Sequence, residues 1–320
     1  MSAPPRIVTL TLNPSVDVTF AVDRIEPGRK LRGHDLRHDP GGGGVNVARV
    51  LRRLGQPVLA VTPVGGPTGE RLTSLLKAEK VPFQAVAVQG ETREDFTAVD
   101  AATGEEYRFV LPSARMKACE WDEAVAVATG AAEPGGVLVA SGSLPTGAPA
   151  NLYATLAATA RRMGVRLALD ASGPALKAAL AEGVWLVKPN LDELRDLTGL
   201  PLEDEPSRLA ACRDLVRQGA TQWVALSMGS AGALLVSGDQ AWRVAAPMIT
   251  AVSTVGAGDS FLAGLVGALA AEATAPEALR RGVAAGAASL QAPGTQLCRP
   301  AEVEKLSRRL CAESMAQEPA

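Results

Sequence analysis

Asp259 is the only charged residue between Val255 and Ala271, and it stands directly behind Gly256-Ala257-Gly258 in the stretch STVGAGDSFLAGLVGALAAEA. A carboxylate in an apolar segment is costly unless something pairs with it. Small residues opening a helix leave consecutive backbone N–H groups free to receive a negative charge. A carboxylate beside them can take a proton from an attacking hydroxyl. A first-turn Asp also answers the helix dipole, but this helix is apolar on nearly every face, which puts Asp259 at the inner mouth of a cleft. Asp259 therefore reads as a general base, and Gly256, Ala257 and Gly258 read as an anion hole for a phosphoryl group.

Three further loops have the composition of ligand sites. DPGGGGVNVAR runs from a Gly-rich turn, Gly41 to Gly44, into a helix, and its Asn46 is suited to hydrogen-bonding sugar hydroxyls. In VKPNLDE, Asn190 and Glu193 fit a helix capping box. They equally fit a pair facing a phosphate–metal cluster with Lys188 beside them. LSMGSAGAL offers Ser227 and glycines for close nucleotide approach, or a plain turn. His34 and His38 form no metal constellation and read as exposed. No G-x-x-x-x-G-K-[ST], H-E-x-x-H or G-x-S-x-G stretch occurs, which removes the P-loop, zinc-protease and α/β-hydrolase readings.

These loops need a frame. Alternating segments supply it: RIVTLTL, PVLAVTPVG, GGVLVASG, VRLALDAS, VWLVKPN and QWVALSMG read as strands. GVNVARVLRRLG, TGERLTSLLKAEKV (with a Thr cap), NLYATLAATARRMG, LDELRDLTG and SRLAACRDLVRQG read as helices. In the first helix Val47, Ala48, Leu51 and Leu54 share the apolar face, with Arg49, Arg52 and Arg53 opposite. Such alternation predicts an α/β fold: a mostly parallel sheet with helices on both faces and ligands at the carboxyl ends of its strands. Two stretches, about residues 14–40 and 90–112, break the pattern with polar strands and a hairpin around Thr103-Gly104. Neither buries much alone, so together they predict a small β-sheet appended to one domain spanning 1–320, as a lid or dimer surface.

Composition agrees. The chain has 320 residues, a formal net charge of −2 and 3% aromatics, so nothing favours nucleic acid or a polyanion as partner. Four well-separated cysteines read as reduced thiols of a cytoplasmic protein. No basic-plus-apolar leader precedes RIVTLTL and no membrane span is expected.

TLTLNPSVD, GRKLR, PGGGGVNVAR, YRFVLP, SGSLP, LVKPN, STVGAGDS and PGTQLC, in this order, resemble the ribokinase-like, PfkB-type carbohydrate kinases, and among them the PfkB-type 6-phosphofructokinases. The resemblance implies a three-layer α/β/α sandwich with a β lid that pairs two subunits. It implies ATP-dependent phosphorylation of a sugar phosphate, with Mg²⁺ and a K⁺ ion. By motif, Asp17, Gly42, Gly43, Asn46 and Ser141 would hold the sugar. Lys30, Arg32, Arg93 and Arg108 would take its phosphate. Lys188, Asn190, Glu193, Ser227, Gly229 and Gly232 would serve ATP, with Glu193 indirectly on magnesium. Ser253, Val255, Ser289 and Gly294 would surround potassium. The 1-phosphofructokinases and tagatose-6-phosphate kinases commonly carry a lysine within the Gly41–Gly44 loop, and its absence here favours the 6-phosphofructokinase branch. A non-catalytic sugar-phosphate-binding regulator is the alternative of another class, disfavoured by the intact GAGD and KPN stretches.

Overall fold

The computed structural model describes residues 7–238 and 240–315. Fourteen strands and ten α-helices follow one another among them. The strands are β1 (Ile7–Leu10), β2 (Ser15–Val22), β3 (Gly33–Gly41), β4 (Val58–Val64), β5 (Phe83–Ala87), β6 (Arg93–Asp100), β7 (Glu106–Phe109), β8 (Val137–Ser141), β9 (Arg166–Asp170), β10 (Val184–Val187), β11 (Thr221–Ser227), β12 (Ala233–Ser237), β13 (Gln240–Val244) and β14 (Ala312–Ser314). The helices are α1 (Gly43–Arg53), α2 (Gly66–Ala78), α3 (Ala118–Ala131), α4 (Leu152–Arg162), α5 (Gly173–Glu182), α6 (Leu191–Thr198), α7 (Glu205–Arg217), α8 (Ala257–Ala270), α9 (Ala275–Leu290) and α10 (Pro300–Ser307).

Ten strands form one sheet in the order β14-β13-β12-β11-β10-β9-β8-β1-β4-β5. Pairing is parallel from β11 through β5, and β12 to β14 extend it antiparallel. Side-chain alternation divides the core between the two faces. Ile7, Val137 and Val139 pack on the face that carries α1, α2, α8, α9 and α10, while Val8, Leu10, Leu138 and Ala140 pack on the face that carries α3 to α7. Strands buried on both sides read as continuous apolar runs, which is why the sequence marked them as it did.

The small sheet has the order β3-β2-β6-β7. The expected hairpin is β6–β7, and a second one is β2–β3, with an irregular register between Thr19 and Ala21. A parallel pairing of β2 with β6 joins them, Ser15 opposite Arg93 through Val22 opposite Asp100.

Several local expectations are corrected. Arg6 lies outside the described residues. Helix α2 starts two residues before Thr68, with Gly65 as N-cap, Pro67 in its first turn and no side-chain cap, so Thr68 is not the capping residue. Arg49 is fully buried and not on a solvated face, because Glu79 at the C-cap of α2 pairs with it. His34 is exposed as expected, but His38 is half-buried.

The run of small residues after Asp259 has a packing cause. A Cβ on Gly264 would lie 2.6 Å from the Arg281 carbonyl oxygen, and one on Gly282 would lie 3.1 Å from the Phe261 ring. Helices α8 and α9 thus approach more closely than larger side chains allow. In the Gly-rich loop, a Cβ on Gly44 would lie 2.6 Å from the Leu10 carbonyl oxygen. Gly44→Ala should therefore destabilise the protein by about 1–3 kcal/mol, seen as a lower thermal midpoint. Gly130 in α3 has open space around its Cβ position, so Gly130→Ala should be neutral or stabilising by up to about 1 kcal/mol. Equal midpoints for the two variants would contradict this packing account.

Candidate active site

The carboxyl ends of the parallel strands and the start of α8 enclose two cavities. One is polar and is lined by Ser15, Asp17, Gly42, Gly43, Asn46, Arg93, Asp95, Arg108, Ser141, Asp170, Glu193 and Asp259, among others. The other is larger and largely apolar. Lys188, Asn190, Ser227, Gly229 and Gly232 line it together with Pro247, Ile249, Val283 and Leu290. Helix α8 stands between them. Val255, Gly256 and Asp259 face the polar cavity, and Thr254, Ala257 and Gly258 face the apolar one.

Gly256 is the N-cap of α8 and holds φ 75°, a left-handed conformation that glycine adopts without strain. Any side chain there would also strike Leu297. The first intrahelical bond is donated by Ser260 to the Gly256 carbonyl. The amides of Ala257, Gly258 and Asp259 therefore have no acceptor within the helix and form the positive end of its dipole.

Asp259 accepts a hydrogen bond from Asn46 Nδ2 at 2.9 Å. Burial pushes its carboxyl up to about 6, and Asp170 and Asp17 push the same way, while Asn46 and Lys188 oppose them. A base with a value close to neutral is well matched to proton transfer at physiological pH. Lys188 is buried and pairs with Asp170 at 3.1 Å. Burial alone would depress its ammonium, but Asp170, Glu193 and Asp259 outweigh that and raise it, so it stays charged.

Asp17 is buried on β2, and Ser15 Oγ donates to it at 2.8 Å. Burial raises its carboxyl above the ordinary value, with Asp95 adding to this and Ser15, Arg108 and Arg49 opposing. Ser141 Oγ, at the end of β8, donates to Asp170 Oδ2 at 3.3 Å. A side chain on Gly43 would collide with Ser141, and one on Gly41 with Asp17. The glycines thus admit neighbouring strand ends as well as a ligand.

Asn190 and Glu193 form the helix cap that their spacing predicts. The capping box is complete: Glu193 N donates to Asn190 Oδ1 and Asn190 N to Glu193 Oε2, each at 2.8 Å. Glu193 nevertheless lines the polar cavity, and burial raises its carboxyl although Asn190 and Lys188 oppose.

Of the four basic residues expected around a phosphate, two line the cavity. Arg93 pairs with Asp95 at 2.8 Å, and its buried Nε has no partner. Arg108 is exposed on β7. Lys30 and Arg32 do not line the cavity of their own chain; they lie exposed on the connection from β2 to β3. Ser253 and Ser289 are buried, and the Ser289 hydroxyl has no hydrogen-bond partner among the described residues while lying 4.0 Å from a Cβ built on Gly256. Gly294, at φ 54°, sits beside Arg37, which donates to the Pro293 carbonyl at 2.9 Å.

Sequence reasoning missed Asp170. Its signal was its place in LALDAS, a carboxylate ending a buried strand at the edge where ligands bind. It also missed the apolar lining from Pro247, Ile249, Val283 and Leu290, whose residue types carry no chemical mark.

Known proteins share this fold. An ATP-dependent 6-phosphofructokinase isozyme 2 of Mycobacterium tuberculosis is 42% identical over 301 residues, covering 94% of this chain and 88% of the relative. The crystal structure of phosphofructokinase-2 from Escherichia coli in complex with substrates and products superposes with a TM-score of 0.92 at 40% identity, covering 95% of this chain and 99% of that one. The same Escherichia coli protein in complex with potassium also gives 0.92, at 39% identity, covering 96% and 99%. Relatives named 1-phosphofructokinase and tagatose-6-phosphate kinase match at 36% and 30% identity. A profile described as pfkB family carbohydrate kinase matches residues 10–302, from the end of β1 into α10, and the chain belongs to that family.

Proposed function

We propose that this protein is an ATP-dependent 6-phosphofructokinase, transferring the γ-phosphoryl group of ATP to the 1-hydroxyl of fructose 6-phosphate. The observation that carries this reading is the meeting of a polar and an apolar cavity at the start of α8, with Asp259 on the polar side and the Ala257 and Gly258 backbone on the other. The apolar cavity suits a nucleotide base. Asp17, Asn46 and Ser141 suit sugar hydroxyls, and Arg93 and Arg108 suit a phosphate held bidentately. The high identity to relatives named 6-phosphofructokinase supports this substrate over fructose 1-phosphate and tagatose 6-phosphate.

In this reading Asp259 takes the proton of the attacking hydroxyl, and the α8 amides and Lys188 stabilise the charge that spreads over the transferring group. Among the described residues no cluster of three or more His, Cys, Asp and Glu is ready for a metal. Glu193, on the polar cavity, would hold magnesium indirectly, and the ion would supply charge neutralisation for the phosphates. A potassium ion suits the oxygen-rich loops around Ser253, Val255, Ser289 and Gly294, where the Ser289 hydroxyl lacks a partner. Such an ion would fix the backbone ahead of the anion hole.

The small sheet would serve as lid and as homodimer surface. Leu36, Phe109 and Val110 are 64%, 55% and 60% exposed on it, a set of large apolar side chains that a second subunit would cover. Lys30 and Arg32 would reach a phosphate only by lid movement or across that interface. No helix among the described residues is long and apolar enough to cross a membrane.

Three outcomes test this reading. Asp259→Asn should lower kcat by about 10²–10⁴-fold. It should also raise the thermal midpoint. A carboxyl whose folded value, about 6, exceeds its ordinary value of 3.8 binds its proton more tightly when folded, so stability falls as pH rises from about 4 through about 6. At neutral pH the charge then costs at most about 3 kcal/mol, less whatever solvent at the cleft mouth screens. A variant with near-normal kcat would remove Asp259 as base.

In wild-type enzyme, kcat/KM for fructose 6-phosphate should decline as pH falls through about 6, because the base must be unprotonated. A flat profile down to pH 4.5 would contradict the assignment.

Arg93→Ala and Arg108→Ala should each raise KM for fructose 6-phosphate by about ten-fold or more, with KM for ATP nearly unchanged, since lost ground-state binding appears in KM. Wild-type preference for fructose 1-phosphate would move the protein to the 1-phosphofructokinase branch.

A further inference from the structure

Arg49 is 0% exposed, although the surrounding helix places it among arginines that face solvent. Each of its three nitrogens donates a hydrogen bond. Nε donates to both Glu79 carboxylate oxygens at 3.1 Å, and Nη2 donates to Glu79 Oε1 at 2.6 Å. Nη1 donates to the Pro40 carbonyl at 2.8 Å and to Asn46 Oδ1 at 3.1 Å. Burial pushes the Glu79 carboxyl up, but Arg49 and Arg53 outweigh it and hold it below the ordinary value, so the pair is ionised.

A guanidinium has five donors and no acceptor. Asn46 must therefore turn its oxygen toward Arg49. Its nitrogen then points the other way and donates to Asp259 Oδ2 at 2.9 Å. Turning the amide over would set NH₂ against a guanidinium and C=O against a carboxylate, two repulsive contacts between groups withdrawn from water. The arrangement is thus determined by charge and does not depend on how the two amide atoms are assigned.

We propose that Arg49 is a positioning residue for phosphoryl transfer, locking the Asn46 amide so that its nitrogen always faces Asp259. This rests on Asp259 being the base. Glu79 is an anchor for Arg49, joining the end of α2 to α1, and Arg53 shares that anchor through Nη2 at 2.9 Å without bonding Asn46. Arg53, which also donates to the Gln296 and Cys298 carbonyls, is the control: its loss removes an ion pair from the same cluster and no bond to the Asn46 amide.

The experiment compares Arg49→Met, Arg53→Met and Asp259→Asn by kcat, KM for both substrates, the acid limb of kcat/KM and the thermal midpoint. The charged groups that act on Asp259 from neighbouring elements are Asp170 at the end of β9, Lys188 after β10 and Asp17 on β2; none is replaced, and of these Asp17 alone also feels the charge of Arg49. Arg49→Met should lower kcat about ten-fold with KM for ATP nearly constant. It should also move the acid limb to higher pH, because a hydrogen bond that favours the charged carboxylate is no longer held in place. Arg53→Met should lower the midpoint but leave kcat and the acid limb where they are. If Arg49→Met does not fold, Arg49→Gln gives the same readouts, since its amide offers a donor and an acceptor and no longer dictates the orientation of Asn46. Wild-type kcat and acid limb in the Arg49 variant, or identical kinetic losses in Arg53→Met, overturn the proposal. An active Asp259→Asn overturns the base assignment as well, whereas an inactive Asp259→Asn beside a kinetically normal Arg49→Met removes only the positioning role.

Discussion

The ammonium of Lys188 is the charge around which the site is arranged. It sits just beyond β10 in the central part of the sheet, where its backbone N–H donates to the Leu169 carbonyl of the neighbouring strand. Around it the fold gathers Asp170, Glu193 and Asp259, three carboxylates at the ends of different elements. Without a buried cation such a group could not stay ionised in a partly enclosed space. Lys188 pairs directly with Asp170, whereas burial displaces the Asp259 carboxyl to about 6 and Lys188 opposes that only in part.

The backbone serves that balance. Parallel strands bring their carboxyl ends to one edge, so residues distant in sequence become neighbours: Asp17, Ser141, Asp170, Glu193 and Asp259 line one cavity. The close packing of α8 on α9, permitted by Gly264 and Gly282, fixes where the α8 amides stand relative to the sheet.

Most of the frame and the Gly-Ala-Gly-Asp loop at the start of α8 were legible because they leave strong marks. A lone Asp behind Gly-Ala-Gly, four consecutive glycines, and runs of Val, Leu and Ala each have few physical uses. What stayed hidden depends on partners remote in the chain. Arg49 reads as a surface residue because Glu79 lies thirty positions away and in another helix. Asp170 reads as the end of a strand until Lys188 and Ser141 are beside it. Arg93 and Lys30 look alike as cations near a β-rich stretch, yet register puts Arg93 opposite Ser15 at the cavity, while Lys30 falls on an exposed connection. The capping box at Asn190 was legible because both its partners lie within one helical turn, and its two bonds are complete without a ligand.

The parallel pairing of β2 with β6 bears on the order in which the molecule assembles. Ser15 meets Arg93 across a chain segment that contains β3, α1, β4, α2 and β5. Closing so long a loop is entropically expensive while that segment is unstructured. Once β1, β4 and β5 have zipped together in parallel, the two partners are carried to the same edge and the remaining closure is short. Nucleation therefore belongs to the large sheet, and the small sheet is a late addition whose local opening need not disturb the rest. A sheet added last can open and close again while the large sheet stays folded.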